Sequence, residues 1–143
     1  MKKLKILLLL TAITTLLFAG CGKKENELVM VTEAGFAPYE YYKDGKVVGV
    51  DIDIANEIAK ELGKKLVVKD IAFDSIINEL KSGKADFAAA GLSITEDRKK
   101  QVDFTVEYTT SNQVVVVKKD SQITDINSLN GKRIAVQLGT VAD

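Results

Sequence analysis

Apolar and polar positions along the chain change period several times, and each change marks a new element. Residues 28–32, Leu-Val-Met-Val-Thr, form an apolar run of β type that ends at the loop residues Gly35-Phe36-Ala37-Pro38. Residues 39–43 and 46–50 flank Asp44-Gly45, a dipeptide that closes two-residue hairpins because both positions accept positive φ. From Asp51 the period becomes helical. Ile54, Ala55, Ile58, Ala59 and Leu62 fall on one face, with Asp51 as the expected N-cap and Gly63 as the stop. Residues 66–69 return to a β pattern, and Phe73, Ile76, Ile77 and Leu80 mark a second amphipathic helix closed by Gly83. Residues 86–90 read as a third strand broken by Gly91. Thr95-Glu96-Asp97-Arg98 reads as a capped helical turn with acids at its positive end.

Strands that alternate with helices imply right-handed crossovers and a largely parallel sheet, an α/β fold. Beyond it the pattern predicts a strand over 114–117, a short helix over 125–129 ended by Gly131, and a strand over 133–137. Residues 139–143 read as a strand-to-helix turn with Thr140 as N-cap. A helix that starts there has nothing to bury, so the sequence is expected to be a piece of a longer chain.

The first segment follows different rules. Lys2, Lys3 and Lys5 precede an apolar run over 6–19, shorter than the roughly 20 residues that span a bilayer. The run ends Leu17-Phe18-Ala19-Gly20-Cys21, which resembles a bacterial lipobox. Residues 1–20 are therefore expected to be a lipoprotein signal peptide. Cys21 is the expected lipidated residue, and residues 21–27 the anchor and tether. The protein is expected outside the cytoplasmic membrane, held to it by acyl chains.

Composition narrows the chemistry. Twenty basic and 20 acidic residues balance, so no net positive charge points to nucleic acid. The chain has no His and a single Cys, which removes His-based nucleophile systems, Cys-cluster metal sites and internal disulfides. Neither a cofactor nor a metal is expected, and catalysis is disfavoured.

In open α/β sheets ligands sit beyond the carboxyl ends of the strands. The three loops leaving those ends span 32–38, 70–73 and 90–98, and offer Glu33, Phe36, Phe73, Ser93 and Arg98. This inventory suits a zwitterion, because an arginine grips a carboxylate with a two-pronged fork that lysine lacks. Of the 20 basic residues only Arg98 and Arg133 are arginine. Amides near Gly91 and the Ser93 hydroxyl complete a candidate carboxylate site, and the two phenylalanines a candidate platform. Each side chain also has a plain structural reading. Arg98 can pair with Asp97 or Asp103 at the surface, the phenylalanines can be core, Ser93 can cap a turn and Glu33 can simply be exposed.

Several motifs in order resemble the polar-amino-acid family of bacterial extracellular solute-binding proteins, family 3. They are Phe36-Ala-Pro-Tyr39-Glu40, Gly49-Val50-Asp51-Ile52-Asp53-Ile54, the turn over 80–86, Gly91-Leu-Ser-Ile-Thr-Glu-Asp-Arg98, Asp103-Phe104-Thr105, and Asn130-Gly131-Lys132 leading to 136–140. The resemblance implies a two-lobed periplasmic-binding-protein fold of type 2, with lobe 1 over 28–112 and the start of lobe 2 over 113–143. It implies that Arg98, helped by Ser93, holds an α-carboxylate, and that backbone groups at Ala90 and Gly91 meet the α-ammonium and the carboxylate. Phe36 and Phe73 would sandwich the ligand side chain, with Glu33 near its far end. Gln137 and the Thr140–Val141 turn would present the second lobe. An ammonium-binding Asp of the family would lie beyond Asp143.

The implied function is a non-catalytic, monomeric receptor for a polar or basic amino acid, which it delivers to the transmembrane subunits of an ABC transporter. With half the cleft missing, residues 22–143 alone are expected not to close on ligand. An enzyme on the same fold, such as a dehydratase of small carboxylic acids, and a ligand-sensing domain of a membrane receptor are the alternatives.

Overall fold

The computed structural model describes residues 25–143. Cys21 and the expected signal peptide over 1–20 lie outside the described residues. Three parallel strands form the central sheet in the order β5-β1-β6, with β1 Glu27–Thr32 in the middle, β5 Lys65–Asp70 on one side and β6 Phe87–Ala88 on the other. Leu28 lies opposite Leu66 and Thr32 opposite Asp70, while Met30 and Val31 lie opposite Phe87 and Ala88.

The unbroken apolar run of β1 has a direct cause: both faces of the sheet are covered. Met30 points to one side and packs with Ile52 and Ala55 of α1, Val50–Glu61. Val29 and Val31 point to the other and pack with Ile76 of α2, Ile76–Lys81, together with Ala85 and Ala90. The period of 2 along the strand thus serves one helix on each side. A single 3-10 turn, Phe73–Ser75, leads into α2.

Between β1 and α1 the chain forms a small antiparallel sheet of β2 Gly35–Phe36, β3 Glu40–Lys43 and β4 Lys46–Val48. Its turn residues Asp44 and Gly45 have φ of 51° and 74°, the left-handed pair that a two-residue hairpin requires. Gly49, at φ 130°, then caps α1, where a Cβ would collide with the carbonyls of Tyr39 and Pro38.

Two details of α1 differ from the sequence pattern. The N-cap is Gly49, and Asp51 lies inside the first turn, fully buried. The buried face carries Ile52, Ala55 and Ala59, whereas Ile54, Ile58 and Leu62 are exposed. Small Ala55 and Ala59 let the helix lie close to the sheet, and the bulkier aliphatics are displaced outward.

After α3, Glu96–Lys99, ordered hydrogen bonding thins out. The strands expected over 114–117 and 133–137 are not formed, and Val114 and Val116 are 76% and 91% exposed. A strand needs a neighbour for its N–H and C=O groups, and among the described residues neither run has one. The expected helix over 125–129 is a 3-10 turn, Asn127–Leu129, tied by Asp125 Oδ1, which accepts from the Ser128 amide at 2.9 Å.

Candidate ligand site at the strand ends

The parallel sheet places the carboxyl ends of β1, β5 and β6 on one side, and the loops that leave them carry the candidate residues. Glu33 follows β1 directly. Its loop is pinned by Asp70 at the end of β5, whose Oδ1 accepts from the Ala34 amide at 2.8 Å and whose Oδ2 accepts from the Tyr42 hydroxyl at 3.0 Å. Phe36 is 48% exposed and stacks on Tyr39, with centroids 5.4 Å apart. Its ring also covers the turn after β6, since a Cβ on Gly91 would stand 2.9 Å from it. Gly91 has φ 52°, a second reason for glycine here. Ala90 is buried in the core and has only backbone polar groups to offer.

Arg98 sits in α3, which Thr95 caps by accepting from the Arg98 amide at 3.2 Å. Its guanidinium lies over the Phe73 ring at 5.6 Å, donates from Nη1 to the Ser93 carbonyl at 2.6 Å and from Nη2 to the Gly139 carbonyl at 2.8 Å. Burial lowers its pKa from the ordinary value, but arginine stays charged across the accessible range. The surface pairing with Asp97 is not adopted, because Asp97 pairs with Lys100 at 2.7 Å. Ser93 serves Arg98 through its backbone, and its side chain is exposed.

Residues 137–140 fold back onto these loops. Gln137 Nε2 donates to Glu33 Oε2 at 2.6 Å, and Thr140 Oγ1 braces the turn by donating to the Gln137 carbonyl at 2.8 Å. Gly139 approaches so closely that a Cβ would lie 2.9 Å from Asp74 Cα. Val141 stays half exposed. The candidate residues are therefore drawn together as Arg98 with Phe73, Phe36 with Gly91, and Glu33 with Gln137. Two open depressions, of about 540 and 380 Å³, are lined by residues 102–105, the smaller also by Ala90, and neither contains Glu33, Phe36, Phe73 or Arg98. The convergence of donors and acceptors marks the site better than these hollows do.

Sequence reasoning missed the group beneath the Gly91 turn. Asp51 Oδ2 accepts from the Gly91 amide at 3.2 Å and from the Tyr108 hydroxyl at 3.0 Å. Glu40, also fully buried, stands beside it. Burial first, then the hydrogen bond and charge of Asp51, push Glu40 up to about 9. Burial and the same acids raise Tyr108. The only signal in the sequence was an acid at the start of α1, which an N-cap explained equally well.

Residues 28–138 match the model of the bacterial extracellular solute-binding proteins, family 3. The chain belongs to that family. Among family-3 relatives, it is 39% identical over 145 residues to the arginine-binding extracellular protein ArtP of Bacillus subtilis (strain 168), covering 96% of this chain and 57% of that protein. A solved mutant of ArgBP from T. maritima superposes with a TM-score of 0.77 at 41% identity, covering 81% of this chain and 52% of the other. The arginine-bound form of domain 1 from TmArgBP matches with a TM-score of 0.52 at 41% identity, covering 52% of this chain and 60% of that one. The type 2 periplasmic-binding-protein fold follows, and the family-3 chain spans about half the length of the curated relatives it matches.

Proposed function

We propose that this chain supplies lobe 1, over 28–112, and the start of lobe 2, over 113–143, of a lipid-anchored extracytoplasmic receptor. The receptor binds a basic amino acid, arginine foremost, and delivers it to the permease subunits of an ABC transporter. The observation that carries this reading is the polarity of the site. Arg98, stacked on Phe73, offers a fork for the α-carboxylate, while Glu33 offers an anion to a cationic side chain. Phe36 and Phe73 provide flat surfaces for the ligand between them. Several relatives are named as arginine-binding proteins, which favours arginine over other polar amino acids.

Arg98 and Glu33 are each engaged internally, by Gly139 and by Gln137. A ligand that brings its own carboxylate and cation replaces both contacts, and its differential affinity then shifts the population toward the bound arrangement. The arginine-bound domain 1 of the T. maritima relative supports ligand contacts made by the first lobe, with closure left to the second. Anchoring through Cys21 fits an extracytoplasmic receptor of this family.

Titration calorimetry of the whole protein that contains this chain tests the reading. Arginine or another basic amino acid should bind more tightly than glutamate by at least tenfold, about 1.4 kcal/mol. A preference for acidic amino acids, or no binding of any amino acid, overturns it. Metabolic labelling with a fatty acid, lost in Cys21→Ser, tests the anchor separately.

A further inference from the structure

Glu40 and Asp51 are two acids buried together without a cation. Glu40 opens β3 at 1% exposure, and Asp51 lies in the first turn of α1 at 0%. Among the described residues no lysine or arginine pairs with either. Asp51 Oδ2 is fully used by Gly91 and Tyr108. Asp51 Oδ1 and Glu40 Oε2, by contrast, are both sealed from water and meet no N–H or hydroxyl donor among the described residues.

Two ionised carboxylates in that position repel each other and lose their hydration. One proton between them supplies the missing donor and removes one of the charges. The groups that face the pair do not compensate it otherwise. Glu33, in the loop after β1, adds negative potential at Glu40. Tyr108, from the segment after α3, donates to Asp51 and keeps its own proton. Gly91 presents only its amide. The elevation of Glu40 to about 9 agrees with a retained proton.

We propose that Glu40 and Asp51 share one proton at neutral pH, and that Glu40 thereby acts as a positioning residue for the ligand-binding turn at Ala90–Gly91. The chain of contacts is short. With the shared proton Glu40 donates to Asp51; Asp51 accepts from the Gly91 amide, and Phe36 lies over Gly91. Tyr108 ties Asp51 to the segment after α3, and beside it the Tyr39 hydroxyl and Thr109 Oγ1 stand 2.8 Å apart. The placement of Ala90–Gly91 in the ligand site rests on the proposed function; the shared proton does not.

The test uses the whole protein labelled with ¹³C at glutamate carboxyls, with the Glu40 signal assigned by its loss in Glu40→Gln. That signal should stay at the protonated shift through pH 7 and titrate near pH 9; titration near pH 4.5 overturns the proposal. The second reading is hydrogen exchange at the Gly91 amide. Protection should persist in Glu40→Gln, which keeps a donor toward Asp51, and fall by about tenfold in Glu40→Leu, which has none. Unchanged protection in Glu40→Leu, with the mutant folded by circular dichroism, overturns the positioning role. Calorimetry with arginine on the same samples reports separately: a protein that passes both tests but binds no amino acid refutes the ligand assignment and leaves the shared proton in place.

Discussion

Gln137 reaches back across 104 positions of sequence to donate to Glu33 at 2.6 Å. An amide donor facing that carboxylate does what a ligand guanidinium or ammonium would do there, so the two compete. Gln137→Ala should strengthen arginine binding by roughly threefold to tenfold, the net range of an ordinary hydrogen bond in exchange with water, and leave glutamine binding nearly unchanged. A weaker affinity for arginine in that variant would mean that Gln137 orients Glu33 for the ligand. Glu33→Gln should cut arginine affinity by roughly tenfold to a hundredfold. Calorimetry of the two variants checks both.

Arg98 has a geometry that lysine cannot copy. Its two terminal nitrogens serve two acceptors at once while its plane lies over Phe73. Arg98→Lys keeps the charge and loses both the fork and the stacking. The expected loss is about 2–3 kcal/mol of binding, roughly thirtyfold to a hundredfold or more, for every amino acid alike because the proposed role of Arg98 is to hold the shared α-carboxylate. A loss confined to basic ligands would place Arg98 at the wrong end of the ligand.

Stability should fall as pH rises from about 4.5 to 9. Glu40 holds its proton in the folded chain up to about 9 against a reference of 4.5, so between these values the folded state binds more protons than the unfolded one. The favourable contribution is complete below the unfolded pKa and is lost as pH climbs through the folded pKa. The slope approaches about 1.4 kcal/mol per pH unit at most. Urea unfolding of wild type and Glu40→Gln across this window should show the slope only in the former.

Gly49 should be intolerant of any side chain. Its φ of 130° and its approach to the Tyr39 and Pro38 carbonyls combine backbone strain with a backbone collision. Gly49→Ala should cost about 2–4 kcal/mol, read as a lower urea midpoint. Gly45→Ala, where nothing lies within 4 Å of a Cβ, should cost far less.

How much of this the sequence disclosed depended on whether the information was local. The hairpin at Asp44–Gly45, the Thr95 cap and the stops at Gly63 and Gly83 were readable because each is settled within a few residues. The placement of Glu33, Phe73 and Arg98 at strand ends followed from the alternation of strands and helices. The orientation of α1 did not, because Ile54 and Ile58 are as apolar as Ile52 and only the sheet decides which packs. The Glu40–Asp51 pair was invisible for a related reason: an acid looks solvated until its partners, here 11 and 40 positions away at Asp51 and Gly91, are known. The expected strands over 114–117 and 133–137 have the right composition but no neighbours among the described residues.

The hairpin offers a practical handle. Its tip at Asp44–Gly45 stands clear of other atoms, yet the same small sheet carries Phe36 at one edge and Glu40 on its middle strand. An environment-sensitive dye attached through Asp44→Cys, with Cys21 replaced by Ser, would sit outside the packing while riding on an element of the proposed ligand site. The fold thus supplies an attachment point for an optical probe of the proposed ligand site, with the candidate residues left untouched.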